Sequence, residues 1–190
     1  MTIGCVVMAA GNGERFGANK LLANYAGKSL IRHALEAVPQ QTVQETVVVT
    51  QYDEILRMAQ DFGFTALRND RPELGISRTI RIGTEALTDR CDGILYLVAD
   101  QPLLTQETVQ RICAAFSDHP DRIVVPTAEG RRGNPCLFPA AYFPQLAALQ
   151  GDRGGSQVIK KHPEAVLSVE VSEEELFDVD TAEALSAIDV

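Results

Sequence analysis

Short apolar runs alternate along this chain with longer segments whose apolar residues recur at helical spacing. Ile3 to Ala9 is almost continuously apolar, the pattern of a strand buried on both faces of a parallel sheet. Similar runs at Thr46–Thr50, Thr65–Leu67, Gly93–Ala99 and Arg122–Val125 predict four further strands. Helical periodicity predicts helices over Ser29–Val38, Asp53–Phe62, Arg78–Leu87, Gln106–Phe116, Ala141–Leu149, Gln157–Lys161 and Ala182–Ile188. Ser77, Thr105 and Thr181 stand where a hydroxyl can accept a first-turn N–H, and Pro39 and Pro120 lie just past helix ends. This alternation predicts an α/β fold with a mostly parallel sheet, helices on both faces and right-handed crossovers.

Ligands of such sheets bind beyond the carboxyl ends of the strands. Two strand ends are thereby singled out, Ala10–Lys20 and Asp100–Leu104. The polar, glycine- and arginine-rich Gly130–Pro135 segment is a third candidate for a functional loop.

The 190 residues fit one domain spanning 1–190, without repeats, low-complexity tracts or linkers. Lys and Arg number 17 against 26 Asp and Glu, a net charge of −9, and the cations form no dense cluster. Double-stranded nucleic acid is therefore an unsuitable partner, whereas a small anion can still be held by a few local cations and N–H groups. No apolar run approaches the ~20 residues of a membrane span, and Met1–Ala10 lacks signal-peptide features, which points to the cytoplasm. Cys5, Cys91, Cys113 and Cys136 are scattered without a C-x-x-C pair and read as reduced core thiols. His33, His119 and His162 are equally dispersed, so neither residue type suggests zinc.

The stretch from Ala9 through Ala10, Gly11, Asn12, Gly13, Arg15 and Gly17 to Lys20 joins three glycines to two cations directly after a buried strand. Glycines let successive N–H groups approach an anion, and Arg15 and Lys20 can neutralise a triphosphate, so a phosphate loop is favoured over a solvated turn. Two familiar phosphate motifs fail here. A G-x-G-x-x-G starting at Gly11 meets Phe16 where a small residue is needed, and Gly27-Lys28-Ser29 has Leu22 in place of the earlier glycine of a P-loop. Asp100 ends an apolar run beside that loop, and Mg²⁺ prefers one or two carboxylates plus phosphate oxygens and water, so a metal role is weighted above helix capping. Asp178 and Asp180, two apart, either share one side of an extended segment or cap the last helix.

Together these residues resemble the small nucleotidyltransferases that act on the molybdenum cofactor. Ala9-Ala10-Gly11, Arg15, Gly17 and Asn19-Lys20-Leu21-Leu22 look like that family's A-A-G-x-x-x-R-x-G-x-N-K-L-L loop, with Met8 in place of the commoner Leu. Gly75-Ile76-Ser77-Arg78-Thr79-Ile80 with Gly83 is similar to its G-x-S-x-S-[IL]-x-x-G element. Ala99-Asp100-Gln101-Pro102 resembles its A-D-Q-P. Gly133-Asn134-Pro135 with Leu137-Phe138, and Gly151-Asp152 with Gly154-Gly155, look like elements of the cytidylyl branch. Asp178-Val179-Asp180-Thr181 completes the match, although Ala182-Glu183-Ala184 replaces the usual Pro and Glu-Asp.

The resemblance implies a Rossmann-like (GT-A type) nucleotidyltransferase that moves CMP from CTP to the terminal phosphate of molybdopterin and releases pyrophosphate. It implies nucleotide contacts from Ala9, Ala10, Gly11, Asn12, Gly13, Arg15, Lys20, Asn69, Gly75 and Ser77, with Arg15, Lys20 and Asp100 catalytic. Gly133, Asn134, Pro135, Gly151, Asp152, Gly154 and Gly155 would face the pterin, and Asp100 and Asp180, with Asp178 less favoured, would hold Mg²⁺. Ala10 favours CTP over GTP, because the guanylyl branch commonly has a second Gly there. Arg131 and Arg132 either supply charge for the incoming phosphate or stay solvated. The implied destination is an apo-molybdoenzyme or its maturation chaperone. The competing readings are nucleotidyl transfer to a sugar or polyol phosphate, a nicotinamide-dependent dehydrogenase, and a non-catalytic cofactor carrier.

Overall fold

A computed structural model describes residues 1–13 and 19–188. Arg15 and Gly17 of the predicted phosphate loop lie outside the described residues.

Strand β1 (Ile3–Ala9) runs in the middle of the sheet, between β4 (Glu45–Thr50) and β6 (Gly93–Val98), parallel to both. Strand β5 (Thr65–Arg68) adds to β4 in the same direction. On the other side β9 (Cys136–Pro139) runs antiparallel between β6 and β7 (Ile123–Ala128), and β10 (Val166–Glu170) closes the edge parallel to β7. The order is thus β10-β7-β9-β6-β1-β4-β5, with a two-residue strand β8 (Arg131–Arg132) folding back on the end of β7. A separate small hairpin pairs β2 (Asn24–Tyr25) with β3 (Lys28–Ser29).

The alternation of side chains along the central strands divides the core into two layers. Cys5, Val7, Leu95 and Leu97 pack against α1 (Leu30–Glu36), α2 (Asp53–Asp61) and α4 (Gln106–Asp118), through Ile31, Ile55 and Ile112 among others. Val6, Ile94 and Tyr96 point the other way, onto α3 (Ile76–Leu87), α5 (Phe143–Ala147) and α6 (Ser156–Lys161), through Ile80, Leu146 and Val158. Helix α7 (Ala182–Ile188) follows the last loop. Among the described residues no helix is long and apolar enough to cross a membrane.

The mostly parallel sheet with helices on both faces is the expected architecture; the short strands β2, β3 and β8 and the edge strand β10 add to the five expected, and three further departures have local causes. Strand β9 is absent from the sequence-based expectation, because its four residues follow Pro135, end in Pro139 and reverse the local direction. Strand β7 continues past Val125 through Pro126, which lies in the gap between the Val124–Leu137 and Thr127–Arg132 pairings, where its carbonyl accepts from Gly133 N at 3.0 Å. Ser77 is not a cap. Thr105 and Thr181 do accept from Thr108 N and Ala184 N, but α3 begins at Ile76 with Gly75 as its N-cap, and Ser77 is buried inside the first turn.

All four cysteines are free and buried, as expected. Burial pushes the Cys113 and Cys136 thiols up to about 12 and Cys91 to about 11, which favours the protonated thiol.

Candidate active site

At the carboxyl ends of β1 and β6 the chain leaves a cleft of about 290 Å³, lined by Ala10, Gly11, Asn12, Lys20, Gly75, Ile76, Thr79, Asp100 and Asp152, with Met8, Val98 and Ala99 on its floor. Lys20 is fixed from below. Asn19 Oδ1 accepts from Leu21 N at 3.2 Å, starting a single helical turn, and buried Leu21 anchors that turn in the core. The ammonium is then aimed across the cleft, where Nζ lies 2.8 Å from Asp100 Oδ2, 3.6 Å from Asp180 Oδ1 and 3.0 Å from the carbonyl of Val179. Val179 is fully buried, and its N–H donates to the Asp100 carbonyl at 2.9 Å. Two carboxylates distant in sequence thus converge on one cation.

Gln101 extends this tie. Its Nε2 donates to Asp178 Oδ1 at 2.9 Å and, more weakly, to Leu176 O at 3.4 Å. Partial desolvation, then the nearby Asp100 charge and that of Asp180, push the Asp178 carboxyl up to about 6, against the opposing pull of Gln101 and Lys20. The residue as a whole keeps solvent access. Asp178, Asp180 and Gln101 open onto a second hollow of about 400 Å³, which Arg131, Arg132, Gly133 and Asn134 also line. Arg131 is paired with Glu173, whereas no ion pair of Arg132 stands among the described residues. A third, smaller hollow of about 140 Å³ meets the cleft at Met8, Ile76 and Val98 and reaches Asn134, Gly154 and Gly155.

Glycine matters at two points of this surface. Gly75 has φ +85°, and a Cβ there would stand 2.5 Å from the Gly151 backbone and 2.6 Å from Asp152 Oδ1. That close approach, with Ser77 N donating to Gly151 O at 3.1 Å, fastens the start of α3 to the Gly151–Asp152 turn. At Gly133 a Cβ would press into Leu176 at 2.8 Å, so its absence lets the segment after β8 sit against Leu176.

The predicted site residues are therefore gathered unevenly. Ala10, Gly11, Asn12, Lys20, Gly75, Asp100 and Asp152 share one cleft, and Gly133, Asn134, Gly154, Gly155 and Asp180 line the two adjoining hollows. Gly13 follows Asn12 with φ +59°. Ala9, Ser77 and Pro135 are buried behind these surfaces, and Gly151 acts as the wall against Gly75. Asn69 is spent internally. Its Oδ1 accepts from Arg71 N at 3.0 Å, which turns Nδ2 toward Thr79 Oγ1 at 3.1 Å. Thr79 lines the cleft, and no acceptor for its own proton stands among the described residues, so it can donate to a ligand. Thr79 and Gln101 lay within quoted motifs, but nothing local in the sequence assigned them these roles.

No group of three His, Cys, Asp or Glu side chains suited to a metal occurs among the described residues. Asp100 and Asp180, already converging on the Lys20 ammonium, fit the kind of site in which two carboxylates share a hard cation with phosphate and water oxygens.

Comparison with known proteins identifies the family and the fold. The family model described as "MobA-like NTP transferase domain" matches residues 5–166. The chain belongs to this family. The MobA-like match contains Lys20, Gly75, Asp100, Asn134 and Asp152 but ends before Asp178 and Asp180. The bifunctional protein GlmU of Azoarcus sp. (strain BH72) is 33% identical over 116 residues, 60% of this MobA-like chain, which spans only 25% of that relative. Among solved structures, Rv0371c of Mycobacterium tuberculosis H37Rv superposes with a TM-score of 0.86 at 24% identity, covering 99% of this chain and 98% of the other. A complex of the same protein with manganese gives 0.81 at 21%, covering 100% and 98%. A nucleotidyl transferase from Methanothermobacter (Mth528) gives 0.83 at 23%, covering 99% and 96%. The CMP:2-keto-3-deoxy-manno-octonic acid synthetase complexed with CTP gives 0.76 at 15%, covering 100% and 97%. These likenesses establish the shared fold.

Proposed function

We propose that the chain transfers CMP from CTP to the terminal phosphate of molybdopterin, releasing pyrophosphate. The observation that carries this reading is the Lys20 ammonium bridging Asp100, in the cleft that the glycine loop lines, and Asp180, in the hollow that Arg132 and Asn134 line. Such a site can hold a triphosphate and a second phosphate on opposite sides of an acidic centre. A phosphate oxygen of the acceptor would attack the α-phosphorus, forming a new phosphoanhydride as the α–β bridge breaks and pyrophosphate leaves with the electron pair. No protein nucleophile is needed, so the residues act by alignment and charge stabilisation.

In this reading Lys20 gives up part of its contact with Asp100 to the β- and γ-phosphates, joined by Arg15. Asp100 and Asp180 would hold Mg²⁺, which supplies Lewis-acid stabilisation of the phosphate oxygens when bound; the manganese complex of a structural neighbour supports a divalent ion. Arg132 meets the acceptor phosphate, with Asn134 and the Gly151–Gly155 turn at the pterin. Thr79 offers its hydroxyl proton to the base. Action in the cytoplasm and delivery to an apo-molybdoenzyme or its chaperone belong to the same reading.

The CTP-bound neighbour, a synthetase named for a sugar acid, supports a second reading in which the acceptor is a sugar derivative. One assay separates them: pyrophosphate release with CTP or GTP, Mg²⁺ and molybdenum cofactor, each omitted in turn, with sugar acids and sugar phosphates as alternative acceptors. Cofactor-dependent release with CTP is the expected result. Release only with a sugar acceptor would transfer the conclusion to the second reading.

A further inference from the structure

The loop that leaves β1 is held from behind by two residues outside every motif considered above. Ala9 and Thr50 are register partners on β1 and β4, so Gln51 and Tyr52 leave the sheet beside Ala10, Gly11 and Asn12. Gln51 Nε2 donates to the Ala10 carbonyl at 2.8 Å and to Asn12 Oδ1 at 2.8 Å. The Tyr52 hydroxyl donates to the Gly11 carbonyl at 2.8 Å. Both holders are themselves secured, since Arg68 Nη1 donates to Gln51 O at 2.9 Å and Tyr52 N donates to Thr50 Oγ1 at 3.2 Å. Burial keeps the Tyr52 phenol above its ordinary pKa, and so a donor.

These bonds fix polarity as well as position. A main-chain carbonyl can only accept, so the Gln51 amide must present its nitrogen, and both of its hydrogens are used. Asn12 is oriented in turn, with Oδ1 toward Gln51 and its NH₂ group facing away. Across a trans peptide the C=O and the next N–H point in opposite directions. With the Ala10 and Gly11 carbonyls drawn toward Gln51 and Tyr52, the N–H groups of Gly11 and Asn12 point the other way. Neither has an acceptor among the described residues, and both residues line the cleft.

We propose that Gln51 and Tyr52 are positioning residues that make this loop an anion receptor, by holding three oxygens away from the cleft so that donors face the phosphates. This rests on the reading that the cleft takes a nucleoside triphosphate. The physical reason is the sign of the peptide dipole: preorganised N–H groups attract phosphate oxygens, and a carbonyl turned into the same place repels them.

The test uses the full chain with Gln51→Met, which keeps length without donors, Tyr52→Phe, and the double variant. Affinities for tripolyphosphate, CTP and cytidine are measured by calorimetry and competition, alongside melting temperature. Each hydrogen-bonding group removed is expected to weaken tripolyphosphate and CTP binding roughly two- to tenfold, the double variant losing more than either alone, while cytidine binding stays unchanged. Unaltered tripolyphosphate affinity in the double variant overturns the proposal. So does an equal loss for cytidine, which indicates general loosening of the cleft. If the wild-type protein binds tripolyphosphate but not CTP, the nucleotide reading fails and the inference is judged on tripolyphosphate alone. Binding of neither overturns both.

Discussion

The Ala10–Asn12 and Lys20 side of the site, in the cleft, and the side formed by Gly133, Asn134 and Asp178–Asp180, in the neighbouring hollow, are built by different means. The first stands on β1, β4 and β6, whose interior residues are almost all buried and whose parallel pairing is continuous. The second stands on a two-residue strand, one reversed strand and a loop, joined by single contacts: Gly133 against Leu176, Gln101 to Asp178, and Val179 to both Asp100 and Lys20. A sheet spreads its stability over many small terms, so its loops can be altered without unfolding it. A surface assembled from point contacts responds to each contact separately. The parts of the cleft should therefore fail differently when damaged.

The largest effect is expected at Asp100, where the sides meet. Asp100→Ala should lower nucleotidyl transfer by about a thousandfold or more, since the charge stabilisation it organises is needed in the transition state. Its melting temperature should change little, because the side chain is partly exposed and its one bond among the described residues is to Lys20. Turnover kinetics beside thermal melts check this, and retained metal-dependent turnover would remove Asp100 from the role.

Gly75→Ala should act on stability instead. A methyl group 2.5 Å from the Gly151 backbone, at φ +85°, forces the start of α3 and the Gly151–Asp152 turn apart, at a cost of about 2–4 kcal/mol. Chemical denaturation measures that loss, and a change below about 0.5 kcal/mol would show that the two segments separate freely.

Arg132→Ala should leave both stability and the apparent affinity for CTP within twofold, while raising the KM for the acceptor about tenfold, as expected for a lost charge-assisted phosphate contact. Steady-state kinetics with each substrate varied would detect the split. An effect on CTP alone would place Arg132 on the wrong side of the comparison.

The smallest effect concerns Asp178. Its folded pKa of about 6 lies above the ordinary carboxylate value of 3.8, so between these values the folded chain binds more protons than the unfolded one. Its contribution to stability is present below the unfolded pKa and is lost as pH rises through the folded one. Asp178→Asn removes that slope and can still accept from Gln101. In a metal chelator the variant should melt at the same temperature as the wild type or about 1–3 °C higher at pH 7, after allowance for solvent screening. Melts from pH 4 to 7.5 test the sign, and a less stable variant at pH 7 would reverse it.

The parallel strands could be read from sequence because a strand buried on both faces must be apolar throughout, as Ile3–Ala9 and Gly93–Val98 are. Strand β9 escaped because four residues cannot declare a direction, and β10 because an edge strand mixes Ser168 and Glu170 with its apolar positions. Lys20 and Asp100 stood in recognisable motifs. Gln51 and Tyr52 did not, since nothing about a glutamine and a tyrosine after a strand announces that they will orient another loop.

The sequence by itself determined the main alternation of strands and helices, the glycine-rich loop after the first strand and the carboxylate after the Gly93–Val98 strand, because periodicity and backbone preference act over a few residues. Only the tertiary structure decided that Lys20 meets Val179 across 159 positions, that Gly75 touches Gly151, and that the loop carbonyls face Gln51 and Tyr52. Those contacts depend on the path of the chain through the sheet, and hydrogen-bond polarity is set only when donor and acceptor are brought together.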